Sequence, residues 1–230
     1  MSLGIIGGMG PMATACFLEL LTDMTYAKCD QDHLETIIYS CPQIPDRTSF
    51  ILGRSDQDPA PKMNEIAHKL QDEGVDAIAI PCVTAGFFRE RIEQDIDIPV
   101  LYGVDYLAST LKDRGIRNAG IMATDGTIEA GVIQKVLESN GINAVIPTAE
   151  DRALVMSLIY DDVKTGRDPD VTKLEMVMDH LRKQGAETSI LGCTELSVIR
   201  RNHTICGNYF DILEMLAEES LKACGKRIKK

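Results

Sequence analysis

A chain of 230 residues with 44% hydrophobic content carries enough apolar surface for one large domain or two compact ones. The formal net charge of -11, with acidic residues spread along the chain, excludes a strongly nucleic-acid-binding protein, and the terminal Lys226, Arg227, Lys229 and Lys230 read as a solvated helix end. No apolar run approaches a membrane span and Met1-Ser2-Leu3 opens no secretion signal, so a cytoplasmic protein with no membrane partner is expected.

Short apolar runs rich in β-branched residues alternate with helical patterns, the signature of βαβ units, and the predicted class is α/β with a mostly parallel sheet. In chain order the strands are Leu3 to Ile6, Thr36 to Tyr39, Ala77 to Ile80, Val100 to Tyr102, Ala119 to Met122, Ala144 to Ile146, Thr188 to Leu191 and a run from Ile205 to Phe210. Amphipathic helices fill most of the intervals. Pro11 suits a first helical turn, and Gly74, Gly115, Gly141 and Gly185 each follow a helical pattern and precede a strand, as C-terminal caps do.

The chain also repeats itself. Gln71 to Cys82 (Gln-Asp-Glu-Gly-Val-Asp-Ala-Ile-Ala-Ile-Pro-Cys) parallels Arg182 to Cys193 (Arg-Lys-Gln-Gly-Ala-Glu-Thr-Ser-Ile-Leu-Gly-Cys), which puts Gly74 in register with Gly185 and Cys82 with Cys193 at an offset of 111. Upstream, Gly4-Ile5-Ile6-Gly7-Gly8-Met9-Gly10 resembles Gly120-Ile121-Met122-Ala123-Thr124-Asp125-Gly126 at an offset of 116. Two matches at nearly one offset predict an internal duplication of about half the chain, hence two similar pseudo-symmetric halves.

Seven cysteines with irregular spacing and no C-x-x-C pair read as reduced thiols, not as a disulfide framework or a zinc site. A free cysteine is commonly a small buried hydrophobe, but Cys82 and Cys193 each follow a strand directly. Ligands of open parallel sheets bind at the carboxyl ends of strands, so duplicated halves packed face to face bring both thiols to one ligand from opposite sides. Inverting a carbon that bears hydrogen needs a base on one face and an acid on the other, and a thiolate with a thiol supplies that pair. Thr84 and Thr194, at apparent helix starts, offer donors beside the two cysteines.

Four segments together resemble the aspartate/glutamate racemase family, nearly end to end: Gly4 to Thr14, Pro42 to Thr48, Pro81-Cys82, and Gly192-Cys193-Thr194-Glu195. The resemblance implies two α/β domains, the first spanning 1–102 and completed by 208–230, the second 103–207, with the active site in the cleft and no pyridoxal phosphate, other cofactor or metal. It implies an amino-acid substrate, aspartate or a related acidic one, and a homodimer. Carried over residue by residue, it makes Cys82 and Cys193 the catalytic pair and Arg47 the partner of the substrate carboxylate, a role that suits a planar guanidinium. Val83, Thr84, Thr124, Thr127, Thr194 and Glu195 fall at substrate-binding positions, Lys164 matches a lysine near the site, and Met9 and Gly10 line its floor with backbone.

This chain departs from the family where it reads Pro81-Cys82-Val83-Thr84-Ala85-Gly86, with Val83 in place of an asparagine and Gly86 in place of a histidine. Those losses also fit a catalytically silent binder of an acidic amino acid or dicarboxylate. A maleate isomerase or decarboxylase of the same superfamily would use one cysteine as nucleophile or proton donor. A nicotinamide enzyme ranks low: Gly8-Met9-Gly10-Pro11-Met12-Ala13 fits G-x-G-x-x-A, yet the second strand ends at Ser40-Cys41 without the acidic residue a ribose needs. His33, His68, His180 and His203 share no ligand spacing and read as surface residues, not as a metal site. Restoring the amide by Val83→Asn is expected to raise kcat/KM on aspartate by about 2- to 10-fold, the worth of one hydrogen bond, in steady-state racemisation assays.

Overall fold

The computed structural model describes residues 1–229. Eight parallel strands form two sheets of four: β1 (Ser2–Gly7), β2 (Glu35–Ser40), β3 (Ala77–Ala79) and β4 (Val100–Leu101) in the order β2-β1-β3-β4, then β5 (Asn118–Met122), β6 (Asn143–Val145), β7 (Thr188–Leu191) and β8 (Tyr209–Asp211) in the order β6-β5-β7-β8. The two orders are the same order, as the duplication predicts. The register agrees as well, since Gly4 pairs with Ile78 and Gly120 with Ser189.

Side-chain packing repeats at the same positions. A Cβ on Gly4 would lie 3.0 Å from Leu70 Cδ2, and one on Gly120 would lie 2.9 Å from Leu181 Cδ1. These leucines belong to helices Ala60–Asp72 and Val171–Lys183, which cross over the equivalent strands of each half. Each glycine is therefore the gap that lets a helix settle on its sheet. The expected C-terminal caps also hold: Gly74, Gly115, Gly141 and Gly185 have φ of +79°, +71°, +74° and +101°, the left-handed region that ends a helix and frees the chain to enter a strand.

The core is continuous between the halves. Ile6, Val83, Ala85 and Phe88 of the first share one apolar cluster with Ile121, Ile128, Ile133 and Ile190 of the second. A second cluster packs Leu3, Phe17 and Leu21 against Leu213, Leu216 and Leu221, so the final helix Ile212–Ala223 lies on the first sheet although it follows the second in sequence. A third covers the outer face of β7 with Leu174, Val177 and Leu181.

Three local expectations change. The last strand begins at Tyr209 and not at Ile205, because Gly207, at φ +120°, turns the chain first. Tyr209–Asp211 pairs with β7, so these residues lie in the second sheet, and we propose that the chain re-enters the first half at Ile212, later than a division after 207. The basic terminus does not prolong a helix. The helix stops at Ala223, Ile228 forms an antiparallel bridge with Thr25, and the Arg227 guanidinium stands 4.8 Å over the Tyr26 ring; Lys230 lies outside the described residues. The four histidines lie partly exposed at the surface, and His180 Nδ1 sits 2.7 Å from Oδ1 of the buried Asp151. Among the described residues no helix is long and apolar enough to cross a membrane, and no group of three His, Cys, Asp or Glu could hold a metal ion.

Gly120→Ala is expected to destabilise the fold by about 1–3 kcal/mol through overpacking against Leu181, read as a fall in Tm of roughly 2–12 °C by calorimetry.

Candidate active site between the sheets

Cys82 and Cys193 occupy equivalent places. Each follows its strand by a short extended segment, with φ/ψ of -155°/108° and -137°/135°, and each caps the next helical element, a 3-10 turn at Val83–Phe88 and the helix Thr194–Asn202. Both thiols line one tight cavity of ≈ 10 Å³, about the space of one water molecule, so a ligand enters only as its walls part.

Of the residues expected from the sequence, Met9, Arg47, Val83, Thr84, Thr124, Lys164, Thr194 and Glu195 line this cavity with the two cysteines. Gly10 and Thr127 stand behind it. A Cβ on Gly10 would lie 3.3 Å from Glu195 Oε1, which makes glycine the residue that leaves room for that carboxylate. Thr127 is fully buried and closes a triangle of hydroxyls, 2.8 Å from Thr84 Oγ1 and 3.1 Å from Thr124 Oγ1, with Thr84 and Thr124 themselves 3.3 Å apart. Thr84 comes from the first half and the other two from the second, so this triangle ties the halves together beside Cys82.

Three further wall residues, Asp46, Thr48 and Tyr160, escape the sequence reading. Asp46 adjoins Arg47 and Tyr160 precedes Lys164 by one helical turn, and that spacing was the available signal. Asp46 Oδ1 accepts the Ser49 amide at 2.8 Å and so starts the helix Arg47–Ile51 that presents Arg47. Its Oδ2 accepts the Tyr160 hydroxyl at 3.0 Å and lies 3.7 Å from Lys164 Nζ, while that ammonium stands 4.0 Å over the Tyr160 ring. Tyr160 sits in a π-helical turn, Leu158–Asp162, a local widening often found where a helix must aim a functional side chain. Burial alone would raise the Asp46 pKa, but the Ser49 amide and the Lys164 and Arg47 charges outweigh it and hold the carboxyl below its usual range.

Arg47 is 7% exposed, and its donors meet neutral acceptors: Nη1 gives to the carbonyls of Ile44 and Pro45 at 3.3 and 3.0 Å, and Nη2 to that of Met9 at 3.2 Å. Its Nε is buried without a partner. Burial disfavours the cation, yet Cys82, Asp46 and Glu195 around it more than restore its basicity. On the far wall Cys193 Sγ donates to Glu195 Oε2 at 2.9 Å, and the Thr194 hydroxyl reaches the same oxygen at 3.4 Å. Burial, then the Glu195 carboxylate, push the Cys193 thiol well above the ordinary thiol range. Glu195 Oε1 is buried and unpartnered. A cavity that keeps a free guanidinium N–H and a free carboxylate oxygen offers a donor to an anion and an acceptor to a cation, the two ends of an amino acid.

Access requires motion, since Cys82 and Cys193 are each only 7% exposed. Tyr160→Phe removes the hydroxyl that joins the halves at Asp46. Alkylation of both cysteines by iodoacetamide, followed by mass spectrometry, is expected to quicken about 2- to 10-fold, the cost of one hydrogen bond in the closed form.

Known proteins share this fold. The model of the family described as Asp/Glu/Hydantoin racemase matches residues 6–209. The chain is 32% identical over 205 residues to the broad specificity amino-acid racemase of Bacillus subtilis, covering 86% of each protein. Its fold superposes on the solved structure of Picrophilus torridus aspartate racemase with a TM-score of 0.87 at 33% identity, covering 100% of this chain and 97% of that one. A glutamate racemase from Francisella tularensis, solved in complex with D-glutamate, shares the fold at a TM-score of 0.67 and 16% identity, over 96% of this chain and 80% of that one. With a family model spanning nearly the whole length and both duplicated halves in the expected fold, the chain belongs to the Asp/Glu/hydantoin racemase family.

Proposed function

We propose that this protein is a cofactor-independent amino-acid racemase, acting on aspartate or a related acidic amino acid, in which Cys82 and Cys193 exchange a proton with opposite faces of Cα. The observation that carries this reading is the placement of two thiols at equivalent strand ends on the walls of one small cavity, which a buried arginine also lines. The substrate α-carboxylate lies against Arg47, whose cation stabilises the negative charge that develops on it as Cα–H breaks. One cysteine removes the proton as thiolate and the other delivers its own from the opposite face. Glu195 Oε1 accepts from the α-ammonium, and Lys164 is the cation available to a side-chain carboxylate. Similarity to an aspartate racemase supports the acidic substrate, and similarity to a broad specificity racemase supports a wider range. On the family resemblance, the enzyme is proposed to act as a homodimer in the cytoplasm.

The second reading is a silent binder of an acidic amino acid or dicarboxylate, which Val83 and Gly86 favour. Val83 lines the cavity but supplies no donor, and a Cβ on Gly86 would lie 3.2 Å from Val132 Cγ1, so a histidine there would need that side chain to move. Proton exchange separates the two. Incubated in D2O with a panel of single enantiomers, an active enzyme washes deuterium into Cα, by NMR or mass spectrometry, and Cys82→Ser and Cys193→Ser each slow racemisation by about 10²- to 10⁴-fold. Binding of aspartate without exchange of any amino acid in the panel rejects the racemase.

A further inference from the structure

We propose that the second half carries a binding groove for a small organic cation, a primary ammonium compound, at the end of its sheet opposite the two thiols. The groove lies between helix Val171–Lys183, the first residues of β7 and the chain that enters β8. Its cavity of ≈ 350 Å³ falls within the roughly 300–1,000 Å³ of ordinary ligand sites. Its walls share no residue with the cysteine cavity. Thr188 opens the strand that ends just before Cys193, so roughly 15 Å of extended chain separates the two sites. Occupancy of this groove does not depend on racemisation.

The internal repeat shows what sets this groove apart. The Ile78 N–H donates to the Pro99 carbonyl at 2.8 Å and the Ser189 N–H to that of Asn208 at 3.0 Å, which aligns Asp97 with Cys206 and Ile98 with Gly207. In the first half two amide side chains tie this loop to its helix. Asn64 Nδ2 donates to the carbonyls of Ile92 and Gln94 at 3.0 and 2.9 Å, and Gln71 Oε1 accepts the Asp97 N–H at 2.7 Å. Their counterparts in the second half, Glu175 and Arg182, are both charged. Glu175 Oε1 accepts the Cys206 N–H at 2.9 Å, while Arg182 pairs with Asp179 at 2.6 Å. Ile98 packs against the apolar core of its half, whereas Gly207 presents bare backbone, where a Cβ would lie 2.9 Å from Met178 Cε.

Thr188 is a second, independent mark of a ligand. It lines the groove where the first half has Ala77, is 4% exposed, and its hydroxyl has no hydrogen-bond partner. A buried hydroxyl without a partner costs stability that an alanine does not, and a bound donor removes that cost. The charges of the wall select the donor. Arg182 and Lys183 each hold Asp179 at 2.6 Å, and among the described residues no cation pairs with Glu175 or Glu187. Glu187 accepts neutral donors, the Arg117 N–H at 3.3 Å and Asn118 Nδ2 at 3.0 Å, so its charge persists beside that of Glu175. Among the described residues no three of His, Cys, Asp and Glu gather to hold a metal ion, so the cation that fits is organic. An ammonium carries three donors and no acceptor, which suits a wall of two carboxylates and an unpartnered hydroxyl.

Cys206 lines the groove and is exposed, and Cys29 is exposed outside it, so one molecule holds both a reporter and a reference thiol. In the full chain at constant ionic strength, 1,4-diaminobutane is expected to slow alkylation of Cys206 by iodoacetamide, read by peptide mass spectrometry, while Cys29 is unchanged. The protection is expected to grow as about one plus the ratio of diamine concentration to Kd. Neutral 1,4-butanediol, of similar length, is expected to protect neither thiol. Glu175→Gln keeps an acceptor for the Cys206 amide but removes the charge, and Thr188→Val keeps the shape but removes the hydroxyl. Each is expected to raise the half-protecting concentration about 10-fold, the worth of one charge-assisted hydrogen bond. No protection of Cys206 up to about 100 mM diamine, a hundred times a millimolar Kd, overturns the proposal. So does equal protection by the diol, or protection unchanged in Glu175→Gln, which decides the matter alone if the Thr188 variant does not fold.

Discussion

Two parallel sheets that meet with their carboxyl ends facing one another share a seam, and in this protein that seam is sealed by apolar side chains from both halves. Val83, Ala85 and Phe88 pack with Ile128 and Ile133 immediately behind the cavity. Parallel strands leave their site-forming groups at one end only, so the burial that joins the halves also fixes where chemistry can occur. Equivalent positions after β3 and β7 meet there because the halves repeat one topology. The pairing of Cys82 with Cys193 is a consequence of that packing and needs no other device.

Polar groups then do what the apolar seam cannot, which is to set orientation. The threonine triangle and the Asp46–Tyr160–Lys164 cluster each include bonds that cross the seam between the halves. Hydrogen bonds of this kind add about 1 kcal/mol each, little beside the apolar burial, but they have one geometry in which all are made. Against that background the few unsatisfied atoms stand out. Arg47 Nε and Glu195 Oε1 are both in the cavity wall, where a ligand can complete them.

The symmetry of the scaffold ends at the residue two places beyond each cysteine. The charged residues of the cavity wall come from unequal parts of the two halves, Arg47 from a first-half helix and Glu195 from the start of a second-half helix.

Period, punctuation and self-similarity are local properties of the chain, and so the strands, the glycine caps, the duplication and the two cysteines at strand ends were all legible in the sequence. Thr84 and Thr194 followed from their places beside those strand ends, and Arg47, Glu195, Thr124 and Thr127 from the family resemblance alone. Tertiary structure decided what depends on partners distant in the chain: that Tyr160 reaches Asp46 across 114 residues, that Tyr209–Asp211 joins β7 while the helix after it returns to the first sheet, and that the basic terminus pairs with Thr25. It also decided the roles of Gly10 and Thr127, which stand behind the cavity and not in its wall, since one residue of helical rotation moves a side chain from lining a site to supporting it. Sequence specifies which groups a strand end presents; only packing specifies what each of them faces, because a charge is tuned by its neighbours in space.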